Sequence, residues 1–473
     1  MLVYILIMID GSFRTQEKTV VESSSRAMFS CLSKAHRLSK SCPVYVKSLL
    51  FKAYVLPVMC YSCACIPYSK KTVDALDTIT LKYARYVLGL PKQSSRLFTL
   101  RECGLRPFKY SQMSMACNFY FLLQSRPSDH LTTRALLHLL SLPSNSQKSS
   151  KMYTCWLKPI LYTLEKWKLL QANALPSVPA FTCTFQQRKG FYARRIRACC
   201  DGEWTGELLA QADVNKVSVV HADLFSFDVS LLSSTFCHVH NIFNSPHCAT
   251  YLKSCQGKHG GTAVRVLHSY TNLCLPPSHL RALVSFRLGC TPLNRHRMYS
   301  SNVFDRMCAF CCKEGYGRYI EDEYHVIFDC PLYVKIRCEL FRSLAAAGAL
   351  FESIEALDSL SILSYLFTLD DACCVRTLSR HLCHFLALRS LFLNENHVYS
   401  WASTISEDVR LELKGSLTSL PRSPPTVVAA QLCLDLFGIK LPTPVPLLFL
   451  VEFMALGNQG RESAFNSYPL VGT

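Results

Sequence analysis

The sequence predicts a mainly α protein with one small metal-stapled unit set among helices. Three observations predict it. Apolar residues recur at helical spacing in four successive segments before residue 125. Similar periodic sequence returns after residue 345. Between them one stretch, CAFCCKEGYGRYIEDEYHVIFDC (308–330), concentrates four cysteines and a histidine among glycines and acidic residues.

The elements follow in order. The opening VYILIMIDGSF reads as a buried strand entering a Gly11-Ser12 turn. Residues 16–40 place Val20, Val21, Ala27, Met28, Cys31, Leu32 and Ala35 on one helical face. Pro43 suits a helix start, and VYVKSLLFKAYVLP runs from there to Pro57. KTVDALDTITLKYARYVLGL is a third helix, closed by Gly89 and Pro91. KYSQMSMACNFYFLLQ is a fourth. SLPSNSQKSSK (141–151) and LPSVPAF (175–181) read as linkers around a short amphipathic helix from Trp156 to Leu170. After the cysteine-rich unit, helical sequence is expected to about residue 399, then a break at SLPRSPPT and a frayed tail.

Composition narrows the class. Of the 473 residues, 49% are apolar and 18% charged, a globular balance that argues against a disordered chain. The N-terminus has no basic n-region or small-residue cleavage site, so the 25 cysteines are expected to be mostly reduced thiols in an intracellular, nuclear or cytoplasmic compartment, not a secreted disulfide framework. No stretch approaches the roughly 20 apolar residues of a membrane span. The net charge of +18 is uneven: +11 over residues 1–125, +8 over 126–277, +3 over 278–345 and −4 beyond. A basic excess in the N-terminal part suits a polyanionic partner, or only a soluble surface.

The cysteine-rich stretch has the spacing Cys308-x2-Cys311-x13-His325-x4-Cys330. Zinc takes four tetrahedral nitrogen or sulfur ligands, commonly two from a tight knuckle and two from a second segment. Cys308 and Cys311 can form the knuckle, Gly315 and Gly317 let the chain turn back, and a short helix or turn can present His325 and Cys330. Cys312 competes with Cys311 for the second position. The opposing reading is a set of buried thiols in a cysteine-rich core. Glu321, Asp322, Glu323 and Asp329 make the segment too polar for that, and a small polar unit needs a staple. Four protein ligands would make the site closed and structural. A second group, CHVHNIFNSPHCATYLKSCQGKH (237–259), fits no common metal spacing.

These motifs resemble the C-terminal part of LINE-type, non-LTR retrotransposon reverse transcriptases. The zinc region of that family is matched by Arg287-Leu288-Gly289, Cys308 and Cys311, Glu321 and Glu323 before His325, Cys330-Pro331, and Arg337. Its thumb is matched by Pro57, Tyr61, Arg85, Leu88-Gly89-Leu90-Pro91, Glu102, Gly104 and Pro107. Ser62 stands where the family has glycine, Cys103 where it has leucine, and Leu6 at the glycine of the hairpin before the thumb. The resemblance covers about 1–125 and 278–340. It implies a palm end and thumb-like helical bundle (1–125), a basic connector (126–277), a CCHC zinc-binding unit (278–345) and a C-terminal helical region with a tail (346–473).

Catalysis is not expected of this chain alone. Reverse transcription needs three carboxylates around two metal ions, two of them in an aromatic-x-Asp-Asp turn, and no such turn occurs. Asp370-Asp371 follows Phe-Thr-Leu, and Asp10, Asp74 and Asp77 are too scattered to rebuild the site. The expected role is binding of RNA or an RNA–DNA duplex, with no small-molecule substrate and no membrane. By the thumb analogy, Lys70, Lys71, Lys82, Arg85 and Lys92 would grip a backbone. In RKGFYARRIR, Arg188, Lys189, Arg194, Arg195 and Arg197 flank Tyr192, charges for phosphate beside a ring for bases. Arg287 of the zinc region joins this set. Alternatives are a solvated amphipathic helix for RKGFYARRIR, a zinc-stapled protein-interaction module, the inert product of a decayed element, or a chain completed by a polymerase fragment in trans.

Overall fold

A computed structural model describes residues 14–38, 42–64, 68–124, 126, 129–141, 157–169, 192–204, 206–207, 269–294, 303–349, 365–367, 369–394 and 401–418. Among these the protein is mainly α and has no strand; one isolated antiparallel bridge joins Met307 and Ile320. The opening strand, most of both linkers, Arg188 and Lys189, the cluster at 237–259 and the tail lie outside the described residues. The chain forms two compact units. The first takes Met1–Val87, Ser95–Ala210 and Val264–Leu267, and the second takes Leu88–Ser94, Gln211–Ala263 and His268–Thr473.

The first unit is built of α1 (Arg14–Arg37), α2 (Val44–Tyr54), the short α3 (Leu56–Met59), α4 (Lys70–Leu88), α5 (Arg96–Glu102), α6 (Phe108–Gln124), α7 (Leu131–Ser141), α8 (Lys158–Lys166) and α9 (192–204). On α1 the buried residues are Val20, Ser24, Met28, Cys31 and Ala35, a single stripe at 3.6-residue spacing. Phe51 of α2 meets Tyr83 of α4 with ring centroids 4.8 Å apart. The Tyr83 hydroxyl donates to the Lys47 carbonyl at 2.6 Å, so the polar end of a fully buried ring is satisfied. Burying a side chain of that size contributes about 1.5–3 kcal/mol.

Two carboxylates fasten these helices. Glu17 of α1 accepts from the Ser69 amide and hydroxyl and from the Thr72 hydroxyl, each at 2.7 Å, and so occupies the N-terminal end of α4, where unpaired amides favour an anion. Asp77, inside α4, accepts from the Phe108 amide at 2.5 Å and from Arg96 Nη2 at 2.6 Å. Burial pushes the Asp77 carboxyl up against the opposing pull of that amide and guanidinium. Asp77 is thus a cap for α6.

Between α3 and α4 the residue Ser62 has φ 67°, the left-handed region. A serine at this position carries strain that a glycine would avoid. Gly104 (φ 66°) ends α5, with the Leu105 amide returning to the Leu100 carbonyl at 2.9 Å.

The second unit holds α10 (Pro277–Leu288), the five-residue α11 (Ala309–Lys313), a π turn (His325–Asp329), α12 (Val334–Ala346), α13 (Ala372–Phe392) and α14 (Glu407–Thr418). Its centre is α13, which packs against α10, α12 and the turn Trp401–Thr404. Along α13, Cys374, Val375, Leu378, Leu382, Cys383, Phe385, Leu386 and Leu388 are buried. Asp371 begins the helix: its carboxylate accepts from the amides of Cys373 and Cys374 at 2.8 Å each. Residues 278–345, expected as a small unit of their own, lie in the same compact unit as α13.

Candidate metal centre

Local sequence chemistry builds the centre. Cys308 is the residue before α11, and the Cys312 amide returns to its carbonyl at 3.1 Å, which folds the knuckle. That single turn carries Cys311 inward and Cys312 outward: Cys311 is fully buried and Cys312 exposed. Cys311 is therefore the residue of the pair that joins the site. Gly315 (φ 75°) and Gly317 (φ 132°) reverse the chain. At Gly317 a Cβ would stand 2.9 Å from the Tyr319 ring, so a larger residue would force that ring to shift. Tyr319 in turn stacks on His325, with centroids 5.2 Å apart and planes 13° from parallel. The Asp322 carboxylate accepts from the His325 amide at 2.7 Å and starts the turn that presents the imidazole.

Cys308, Cys311, His325 and Cys330 are all buried, and their ligand atoms lie within 4.8 Å of one another. Cys330 Sγ is 3.8 Å from both Cys308 Sγ and Cys311 Sγ, and Cys311 Sγ is 3.4 Å from His325 Nε2. Tetrahedral zinc with ordinary bond lengths would separate its sulfur ligands by about 3.8 Å and a sulfur from a nitrogen by about 3.6 Å. The group could hold a metal ion, and its donor types and spacings are compatible with zinc. The electrostatics agree. Hydrogen bonds with Cys311 and Cys330 drive the Cys308 thiol far down, whereas burial drives Cys330 up. Burial opposes protonation of His325, but its hydrogen bond and attraction to Cys308 outweigh that and raise it. Three thiolates crowded in one dry site repel each other, and a divalent cation removes that repulsion.

The surrounding shell is made of buried ions. Arg389 of α13 grips Glu321 through two contacts, Nε to Oε1 at 2.8 Å and Nη2 to Oε2 at 2.9 Å. Arg389 also donates to Asn294 Oδ1 at 3.0 Å, Asn294 donates its amide to Glu321 at 2.8 Å, and its Nδ2 reaches the Met307 carbonyl at 2.8 Å. Arg389 and Glu321 side chains are only 3% and 4% exposed, so each ion depends on the other. Arg337 donates to the carbonyls of Ile327 at 2.7 Å and Cys330 at 2.8 Å, supporting the π turn and the last ligand. Thr291 donates to Glu323 at 3.0 Å. Glu321, Asp322 and Glu323, which mark the segment as polar in sequence, are thus internal struts. Sequence reasoning missed Arg389 and Asn294, since nothing near either one announces a partner 68 or 27 residues away.

The residues expected to touch nucleic acid fare differently. Lys70, Lys71, Lys82 and Lys92 are exposed and Arg85 half-buried. On α9, Arg194, Arg195 and Arg197 are exposed while Ile196 and Cys200 are buried, the pattern of an amphipathic helix. Tyr192 lies with one face on Phe121, centroids 3.9 Å apart and planes 10° from parallel, so that face is taken by the protein. Arg287 does not fit the expected role. It is 4% exposed, its guanidinium donates to the Phe367 carbonyl, and it lies 5.5 Å over the Tyr270 ring. The residue falls on the packed side of α10, and its charge is spent inside the unit.

No known protein family, curated protein or solved structure matches this chain. Among the described residues no helix is long and apolar enough to cross a membrane.

Proposed function

We propose that this chain is a retrotransposon reverse-transcriptase-like protein that binds RNA or an RNA–DNA duplex and has no polymerase activity by itself. The Cys3His group would bind zinc as a structural ion, the metal supplying only charge neutralisation and cross-linking. The observation that carries the reading is the pairing, in one chain, of a closed Cys3His group with a helical region whose outer faces carry Lys70, Lys71, Lys82, Arg194, Arg195 and Arg197. All four ligand positions would come from the protein, leaving no open position for metal-assisted chemistry. Exposed lysines and arginines suit phosphate contact better than base readout.

Fluorescence anisotropy on metal-loaded protein tests this. Binding should weaken about a thousandfold between 50 and 200 mM salt if some six phosphates are neutralised. Lys71→Glu with Lys82→Glu should reduce the salt slope by about one per lysine. Absence of binding at low salt, with metal retained, would contradict the reading.

A second reading, a metal-stapled protein-interaction module, has one observation in its favour. The first unit exposes Phe29 (63%), Leu49 (43%) and Tyr54 (50%). Salt-insensitive RNA binding together with capture of a protein partner that Leu49→Glu abolishes would favour it.

A further inference from the structure

The first unit contains a second pair of cysteines with its own geometry, remote in sequence from the Cys3His group. In Cys60-Tyr61-Ser62-Cys63 the Cys63 amide donates to the Cys60 carbonyl at 3.2 Å, closing a four-residue turn. Such a turn holds its end Cα atoms within about 7 Å, the range a disulfide spans. Ser62, at φ 67°, holds the turn in its tight form. Both thiols are reduced. They are unequal. Cys60 is partly exposed, whereas Cys63 is 1% exposed and donates to Met115 Sδ at 3.6 Å. The neighbouring Cys63 thiol draws the Cys60 thiol below its ordinary value, burial opposes this, and the Arg106 charge assists it. An accessible thiol stabilised as thiolate, beside a sheltered thiol within disulfide range, is the arrangement of an attacking and a resolving cysteine. The other thiols of this unit with large shifts, Cys103, Cys117 and Cys200, are buried and pushed up to about 11, 12 and 12 by desolvation, so they behave as core.

We propose that Cys60 and Cys63 form a redox-active dithiol that closes to an intramolecular disulfide on reaction with a small-molecule disulfide. Cys60 thiolate attacks one sulfur of the small disulfide. That S–S bond breaks, and the departing thiolate takes the bonding pair and a proton from water. Cys63 loses its proton to solvent and attacks Cys60 Sγ, expelling the second small thiol. Two protein thiols are oxidised and one small disulfide is reduced to two thiols. Cys65, two residues beyond Cys63, lies outside the described residues and is the competing partner.

The test treats full-length, metal-loaded protein with glutathione disulfide at pH 7, maps products by tandem mass spectrometry and monitors metal release in parallel. Cys60 should react faster than the exposed Cys274. Wild type and Cys65→Ser should both yield the Cys60–Cys63 disulfide, reversed by dithiothreitol and formed without metal release. Cys63→Ser should instead keep glutathione on Cys60. The wild-type result stands even where that buried substitution unfolds the unit. Pairing of Cys60 with Cys65, a persistent Cys60 adduct in wild type, or a Cys60 rate no greater than that of Cys274 would each overturn the proposal.

Discussion

The two units are held together by different means. The first rests on long helices with apolar stripes, and its two principal polar fasteners, Glu17 and Asp77, sit at helix N-terminal ends where backbone amides welcome a carboxylate. Around the Cys3His group the second unit has a five-residue helix, a π turn and a lone bridge, none of which could persist alone. Order there is imposed by cross-links: the close-packed Cys3His group, the Glu321–Arg389 pair and Arg337 on the carbonyls. The contrast teaches that a helical stripe tolerates the loss of one residue, whereas a cross-linked knuckle fails as a whole.

The largest effect tests the proposed metal at the Cys3His group. A chelator, or Cys330→Ser, should unfold the knuckle and lower the melting temperature of the second unit while the first keeps its helical signal. Circular dichroism and hydrogen exchange of the α4 amides would read both. Next in size is Arg389→Ala. It leaves Glu321 buried and unpaired and should cost about 3–5 kcal/mol in denaturant unfolding of the second unit. In the first unit, Asp77→Ala leaves the Phe108 amide and Arg96 without their shared acceptor and should cost about 1–3 kcal/mol.

A smaller effect sharpens the comparison through pH. His279 of α10 and His381 and His384 of α13 are all held below the ordinary imidazole value, chiefly by burial; Arg380 adds to this at each, neighbouring imidazoles add to it at His279 and His384, and at His381 the hydrogen bond to the Thr377 carbonyl opposes it. Glu339 of α12, 3.6 Å from His381 Nε2, opposes this only in part. His384 is lowered to about 4. The unfolded chain then binds more protons than the folded one between the ordinary histidine value and that pH. The stability is therefore complete above about pH 6.5 and declines as pH falls toward 4. His384→Gln should flatten this slope, measured by thermal melts from pH 7.5 to 4.5, and leave the first unit unchanged.

The two units were also legible in the sequence to different degrees, for the same physical reason. Periodicity located α1, α2, α4 and α6, because a helix that buries one face must repeat its apolar residues. It could not show that Asp77 caps α6, since the contact depends on how α4 and α6 meet. In the second unit, spacing singled out Cys308, Cys311, His325 and Cys330, but Cys312 still competed with Cys311 for the second position. The direction of one helical turn separates them. Arg287 and Arg389 show the limit most plainly: composition counts both as surface charge, and both are buried. An arginine's role depends on which carbonyl or carboxylate the fold brings to it.

The most direct test of the central claim is metal content after purification from zinc-containing medium, compared among wild type, Cys311→Ser and Cys312→Ser. One tightly bound zinc per chain in wild type and Cys312→Ser, lost in Cys311→Ser, is the predicted result. Equal zinc in all three proteins, or none in wild type, would contradict a metal staple at Cys308, Cys311, His325 and Cys330.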